Sequence, residues 1–181
     1  KPVPGFGDPN GRLLVVGLAP GAHGSNRTGR QFTGDSSGDF LYPALHQTGF
    51  ASQPDAVRRG DSLKLHDLFI TSVGRCAPPK NKPTAAELDQ CRPFLLAELE
   101  LMKNMQGLVA LGRVAFDSIL KIYRERGSDI PRLKFAHAAC YELGEGLPWL
   151  IASFHPSRQN TQTGRLTFDQ FKLVWEQARQ R

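Results

Sequence analysis

The stretch Arg12-Leu-Leu-Val-Val-Gly-Leu18 decides the fold class, and Ala19-Pro20-Gly21 follows it directly. A short apolar run rich in β-branched residues and ended by turn-forming residues predicts a buried strand that runs into a loop. Two further runs of this kind, 107–111 and 149–154, predict buried strands later in the chain. A strand is also predicted over 65–73.

Helical periodicity separates these strands, and a weaker strand is predicted near 140–143. Helices are expected from about Ser37 to Gly49, from Thr84 to about Met102, from Val114 to about Arg126 and from Thr167 to Arg181. The second of them starts with capping-box spacing, Thr84 to Glu87. Strands that alternate with helices predict an α/β fold with a parallel sheet covered on both faces, in one domain over residues 1–181.

The composition narrows the class of protein. With a net charge of +6 and a pI near 9.5, the chain favours polyanionic partners such as nucleic acid. No apolar stretch approaches the roughly 18 residues of a membrane helix, so no membrane partner is predicted. Three cysteines are too few for a disulfide scaffold, which favours a reducing cytoplasm. The loop-like opening at Lys1, without a Met, predicts a fragment or a processed form.

Three unusual segments each follow a predicted strand: 19–24, 74–76 and 155–157. Because ligands of such sheets bind beyond the carboxyl ends of the strands, we expect these segments to meet at one edge. This convergence predicts an active site there.

The first segment extends through Gly17 to Asp35 and is rich in glycine. Glycines allow a close approach of backbone to ligand, Arg27 and Arg30 can hold phosphate, and Phe32 offers a stacking face. A plain strand-to-helix turn built from turn-forming residues is the alternative. A nucleotide-binding loop is a further one, although neither Gly-x-Gly-x-x-Gly nor Gly-Lys-Ser is present.

The other two motifs, around His155 and around Cys76, each allow a functional and a purely structural interpretation. His155 can act as an acid, a base or a charge stabiliser near neutral pH, or it can be a loop histidine bonded to backbone. Gln159, Asn160 and Arg165 can contact phosphates or base edges. The spacing of Cys76 and Cys91 is no zinc signature, and a chance pair of core thiols explains it as well.

Together these segments resemble the type-B (family 5) group of uracil-DNA glycosylases. The resemblance rests on Gly-Leu-Ala-Pro-Gly-Ala-His-Gly with Asn-Arg-Thr-Gly-Arg and Phe-Thr-Gly-Asp, on Cys-Ala-Pro-Pro-Lys-Asn-Lys-Pro, and on His-Pro-Ser-Arg-Gln-Asn with Thr-Gly-Arg-Leu-Thr. It implies a three-layer αβα sandwich around a central, mostly parallel four-stranded sheet. It also implies an enzyme that flips uracil out of DNA and hydrolyses the bond between base and sugar, acting as a monomer.

The resemblance also implies residue roles. His155 stabilises the departing base, and Asp35 handles the attacking water because Ala19, where many relatives carry a polar side chain, cannot. Asn81 is a second candidate for contact with the water or the base. The base is expected to touch Gly17, Ala19, Gly21, Phe32, whose ring stacks on it, and Ser72. The DNA strand is expected to touch His23, Asn26, Arg27, Arg30, Arg158, Gln159, Asn160 and Arg165.

Ser72 stands where related enzymes strict for uracil carry an asparagine, so broader substrates such as hypoxanthine or xanthine are expected. A hydroxyl cannot make the paired contacts of an amide. Two other functions remain open at this point. Ala19 is compatible with a non-catalytic module that binds damaged DNA, and the glycine-rich loop is compatible with a hydrolase of small nucleotides.

A [4Fe–4S] cluster is the cofactor that the resemblance implies for the full-length protein. Cys76 and Cys91 match two of its four thiolate ligands. The other two lie, in the family, in a close pair upstream of the region that matches Pro2, and we expect them to be missing from this sequence. Cys140 matches no ligand position, and the expected role of the cluster is structural.

Overall fold

A computed structural model describes all residues from 1 to 181. Its strands are β1 (Phe6–Gly7), β2 (Leu13–Gly17), β3 (Leu68–Ser72), β4 (Gly107–Leu111), β5 (Cys140–Glu142) and β6 (Trp149–Ser153). They form one sheet in the order β1-β3-β2-β4-β6-β5. The four central strands run parallel, as expected, and the two short edge strands β1 and β5 pair antiparallel to their neighbours.

Helices cover both faces of this sheet. They are α1 (Ser25–Thr28), α2 (Gly38–Gln47), α3 (Ala85–Leu101), α4 (Arg113–Glu125), α5 (Arg158–Gln162) and α6 (Phe168–Arg179). Apolar side chains of α2 and α6 pack with one set of strand residues, and those of α3 and α4 pack with the alternate set. Successive strand residues point to opposite faces, so two separate cores form, and the three-layer αβα sandwich is confirmed.

The strand before Gly74 begins later than the sequence pattern indicated. Asp67 has a φ of 59°, which takes the backbone out of the extended region just before Leu68. Its carboxylate accepts hydrogen bonds from the backbone and side chain of Arg12. Leu65 therefore makes only an isolated bridge to Ala51.

The parallel strands bring their carboxyl ends to one edge of the sheet. Gly17 is in register with Ser72, and Leu111 is in register with Ser153. The capping box of α3 forms as predicted, since the Thr84 side chain and Glu87 each bond the other's backbone. None of the helices is both long and apolar enough to cross a membrane.

Candidate active site

A cleft of about 950 Å³ opens at this edge of the sheet. The expected site residues that line it are Gly17, Ala19, Gly21, His23, Phe32, Asp35, Ser72, Asn81, His155, Arg158 and Gln159. Segments 19–24 and 155–157 therefore converge as predicted, whereas residues 74–76 are not in the lining and the third strand contributes Ser72 and the loop from Pro78 to Lys82 instead. Asn26, Arg27, Arg30, Asn160 and Arg165 are not part of the lining.

The ring of Phe32 forms one wall of the cleft. Its backbone is held at a φ of 51°, a left-handed conformation that costs a non-glycine residue free energy, and its N–H donates to Ser25 Oγ at 2.9 Å. Gly17 lies directly beneath the ring, because a Cβ at Gly17 would come within 3.0 Å of the ring edge. The Phe32 and His155 rings are 5.7 Å apart between centroids.

His155 follows β6 directly and faces the same cleft. Burial lowers the pKa of His155 to about 4, and the negative charge of Asp35 opposes part of that shift. The imidazole is therefore neutral at physiological pH and can donate one hydrogen bond without carrying a charge. The loop is braced by Asn160, whose side-chain amide donates to the carbonyl of His155 at 2.8 Å.

A second histidine, which the sequence analysis did not connect with the site, supports this loop. Nδ1 of His137 accepts a hydrogen bond from the backbone N–H of Phe154 at 3.2 Å, and its Nε2 lies 3.2 Å from the carbonyl of Gln170. Burial lowers the pKa of His137, which favours the neutral ring that this arrangement requires. No local motif marks this residue, because its partners come from distant parts of the chain.

The carboxylate of Asp35 is held at one oxygen and open at the other. Oδ1 accepts from the backbone N–H groups of Ser37 and Gly38, each at 3.1 Å, at the start of α2. Oδ2 lies against Gly24, where a Cβ would come within 1.9 Å of it. The glycine in the first motif therefore makes room for a carboxylate that is fixed in the cleft.

Basic and polar side chains surround the mouth of the cleft. Asn81 is exposed on a 3₁₀ turn over Pro79–Asn81, with a left-handed φ of 56°. Lys80 and Lys82 flank it, are exposed and line the cleft. These two lysines belong to the motif Cys-Ala-Pro-Pro-Lys-Asn-Lys-Pro, but no sequence pattern marks them as site residues.

The remaining residues expected to bind DNA differ in their exposure. Asn26, Arg27 and Arg165 are exposed and lie outside the cleft lining. The Nε of Arg27 donates to the carbonyl of His23 at 2.9 Å, and the Arg165 guanidinium lies 4.5 Å from the centroid of the Phe154 ring. Asn160 is half-buried, and its amide is used within the loop of His155.

Arg30 requires a correction, because it is only 4% exposed and is not available to DNA. Its two terminal nitrogens donate to both carboxylate oxygens of Asp61 at 2.6 and 2.7 Å, and its Nε donates to Thr33. This contact holds the pKa of Asp61 far below its usual range. The Arg30 charge is neutralised inside the fold, so Arg30 supports the loop that carries Phe32.

The hydroxyl of Ser72 is bonded within the protein. It is buried, donates to the carbonyl of Gly74 at 2.6 Å and accepts from Nε2 of Gln31 at 3.1 Å. Gln31 lines the cleft, although the sequence analysis did not select it. Its position directly before Phe32, the residue expected to stack on the base, is the sequence feature that could have identified it.

Cys91 lies against the residue that directly precedes Cys76. The backbone N–H of Arg75 lies 3.3 Å from Sγ of Cys91, and Cys76 is the next residue. Cys76 is exposed and Cys91 is half-buried. No group of three or more His, Cys, Asp or Glu side chains within residues 1–181 could hold a metal, so these two thiols alone do not fit a four-iron cluster.

The fold and the cleft match a known class of proteins. The family model described as the uracil DNA glycosylase superfamily matches residues 4–179. The chain belongs to this superfamily.

Within it, the chain is similar to proteins named type-5 uracil-DNA glycosylase, which confirms the resemblance. It is 52% identical over 179 residues to the one from Thermus thermophilus, covering 99% of this chain and 80% of that protein. It is 46% identical to the one from Mycobacterium bovis, covering 99% of this chain and 66% of that protein, slightly less than two thirds. It is 42% identical to the one from Pyrobaculum aerophilum, covering 98% and 75%.

Proposed function

We propose that this protein removes uracil from DNA by hydrolysing the bond between the base and the deoxyribose, the first step of base excision repair. The observation that carries the proposal is that His155 and the fixed carboxylate of Asp35 line one cleft. Relatives that are 52% and 46% identical to this chain are named for this substrate. This function also uses Phe32, whose ring can stack on a flipped base.

The proposed chemistry divides the work between the two side chains. As the bond from C1′ to the base nitrogen breaks, its electron pair leaves with the base, and positive charge develops on the sugar. A hydrogen bond from the neutral imidazole of His155 stabilises the negative base oxygen without transferring a proton. The free oxygen of Asp35 orients a water towards C1′ and takes up its proton, and its negative charge stabilises the sugar cation.

The proposed DNA contacts follow the exposed residues at the mouth of the cleft. Lys80, Lys82 and Arg158 carry positive charge beside the lining, and Arg27 and Arg165 extend it outwards. Such charges attract phosphates whatever the base sequence. Asn81 and His23 lie within the same border and complete the proposed footprint.

We further propose that other deaminated bases, hypoxanthine and xanthine among them, are substrates. Ser72 offers no amide to the base, and its hydroxyl is already bonded to Gln31 and Gly74. A cleft of about 950 Å³ is large enough to admit a purine.

For a longer form of this protein we propose a [4Fe–4S] cluster with Cys76 and Cys91 as two of its ligands. The other two thiolates must then come from outside residues 1–181. The backbone N–H of Val3 donates to the carbonyl of Arg75 at 2.7 Å, so a segment preceding Lys1 would begin close to these thiols. Metal analysis of a longer form purified without oxygen should find about four iron atoms per chain. An iron-free, stable protein would contradict this part.

The test of the main proposal is release of uracil from a duplex that carries uracil opposite guanine, followed by strand cleavage at the abasic site. His155→Ala should lower the single-turnover rate about 100-fold, because it removes a main electrostatic group. Its binding to the same DNA should change little. No release by the wild-type protein would refute the proposal, and an undiminished rate in the variant would move the catalytic role to another residue.

A further inference from the structure

One polar atom in the wall of the cleft has no partner in the protein, the side-chain oxygen of Gln31. The residue as a whole is only 1% exposed. Its Nε2 donates to Ser72 Oγ at 3.1 Å and lies 3.4 Å from the carbonyl oxygen of Val3. No side chain or backbone group donates to its Oε1.

The neighbours of Gln31 determine which end of the amide faces them. The carbonyl of Val3 can only accept, so the nitrogen must face it. The Ser72 hydroxyl gives its single proton to Gly74, so towards Gln31 it also acts as an acceptor. Flipping the amide would place its oxygen against two acceptors, and the nitrogen position is therefore chemically required.

The amide oxygen is consequently left to face the cleft. The buried side-chain atoms that lack any partner belong to Arg75, Trp175 and Gln177, and Oε1 of Gln31 is not among them. Oε1 has no donor and yet is not one of these inaccessible atoms, and Gln31 lines the cleft, so we infer that this oxygen is accessible from the cleft. A buried glutamine thus presents one fixed acceptor beside the wall formed by Phe32.

We propose that Gln31 is a specificity-determining residue whose Oε1 accepts a hydrogen bond from a ring N–H of the flipped base. Deamination of cytosine or adenine turns a bare ring nitrogen into an N–H next to a new carbonyl. Uracil and hypoxanthine donate to Oε1, whereas cytosine and adenine direct a lone pair at it. Thymine and guanine carry the same N–H, so the contact sorts bases by this group alone. The inference rests on the proposed function of the cleft and names the group that it reads.

The experiment measures binding, so it does not depend on cleavage. The probes are duplexes with one nucleotide on a 2′-fluorinated sugar, which resists hydrolysis, bearing either uracil or 3-deazauracil. The second base replaces the ring N–H by C–H and carries its 4-oxygen as a hydroxyl, so the comparison of the wild-type protein with the Gln31 variant isolates the contribution of Oε1. The wild-type protein should bind the uracil duplex about 10-fold or more tightly than the 3-deazauracil duplex, because the unpaired Oε1 loses a hydrogen bond.

The variant Gln31→Met should remove this preference, since it is similar in length and has no strong acceptor. It is expected to fold, because the carbonyl of Val3 keeps the Nη1 donor of Arg75 at 3.3 Å and Ser72 keeps its bond to Gly74. Gln90→Met, on the exposed face of α3, is the matched control and should keep the wild-type preference.

Equal binding of the two duplexes by the wild-type protein would overturn the inference without any need for a folded variant. A preference that persists in Gln31→Met would also overturn it, because the N–H must then be read elsewhere. Absence of uracil release from ordinary DNA, with the preference intact, would instead count against the proposed function and leave the recognition of the base in place.

Discussion

Two parts of the cleft contrast in how their side chains are held. The cleft wall, made of Gln31, Phe32, Ser72 and His155, is buried or half-buried, and the amide nitrogen of Gln31, the backbone N–H of Phe32 and the hydroxyl of Ser72 have defined partners. The cleft rim, made of His23, Lys80, Lys82, Arg158 and Gln159, is exposed. Buried groups with fixed partners provide geometry, while exposed charges act at a distance and are screened by salt. The wall therefore suits chemistry and selection of the base, and the rim suits attraction of the DNA.

Arg27 and Arg30 show the same contrast three positions apart in one motif. Arg30→Ala should lower the free energy of unfolding by about 3–5 kcal/mol, because it leaves the carboxylate of Asp61 without its main partner. Arg27→Ala is the matched control and should stay within about 0.5 kcal/mol of the wild type. Urea unfolding of both variants measures the difference. Equal losses of unfolding free energy would mean that Arg27 stabilises the fold as much as Arg30 does.

Asp35 has features of both the wall and the rim. Its Oδ1 is hydrogen-bonded at the start of α2, and its Oδ2 has no hydrogen-bond partner in the protein. Asp35→Asn keeps an oxygen that can accept from Ser37 and Gly38 but removes the charge, so the rate of base release should fall about 100-fold. Asp35→Ala should lose the rate equally and about 1 kcal/mol of stability as well. Single-turnover rates and thermal unfolding separate the two effects. If the asparagine variant were fully active and only the alanine variant slow, the role of Asp35 would be to hold the loop.

The dependence of the free energy of unfolding on pH below 6.5 tests the burial of His155. Since its pKa lies near 4 in the folded protein and at 6.5 for the free side chain, the unfolded chain binds the proton more readily between these values. Stability contributed by the neutral ring is present above pH 6.5 and is lost as the pH falls towards 4. His155→Ala should show a shallower decline over this window than the wild type. Denaturant unfolding at several pH values measures it, and identical slopes would mean that the ring is solvated.

Much of this arrangement could be predicted from residue patterns, and the exceptions have physical reasons. The strands before Gly17 and Ser72 were predictable because buried parallel strands are continuous apolar runs. The burial of Arg30 was not, because its partner Asp61 lies 31 positions away and no local pattern links them. Gln31 was missed for a similar reason, since its orientation depends on Val3 and Ser72, which only the folded chain brings together.

The smallest expected effect on catalysis belongs to the rim. Lys80→Ala and Lys82→Ala should each weaken binding to any duplex, because a lysine that neutralises one phosphate releases about 0.9 of a counterion. Each variant should therefore flatten the slope of log affinity against log salt by about 0.9, while the rate from the bound state stays within about twofold. Lys103→Ala is the control, since this exposed lysine lies between α3 and β4, at the opposite edge of the sheet. Titrations of a fluorescent duplex at several salt concentrations give the slopes. If the slope changed for the Lys103 variant and not for the two rim variants, the DNA would have to lie across another face of the protein. The rim would then not be the surface that attracts DNA.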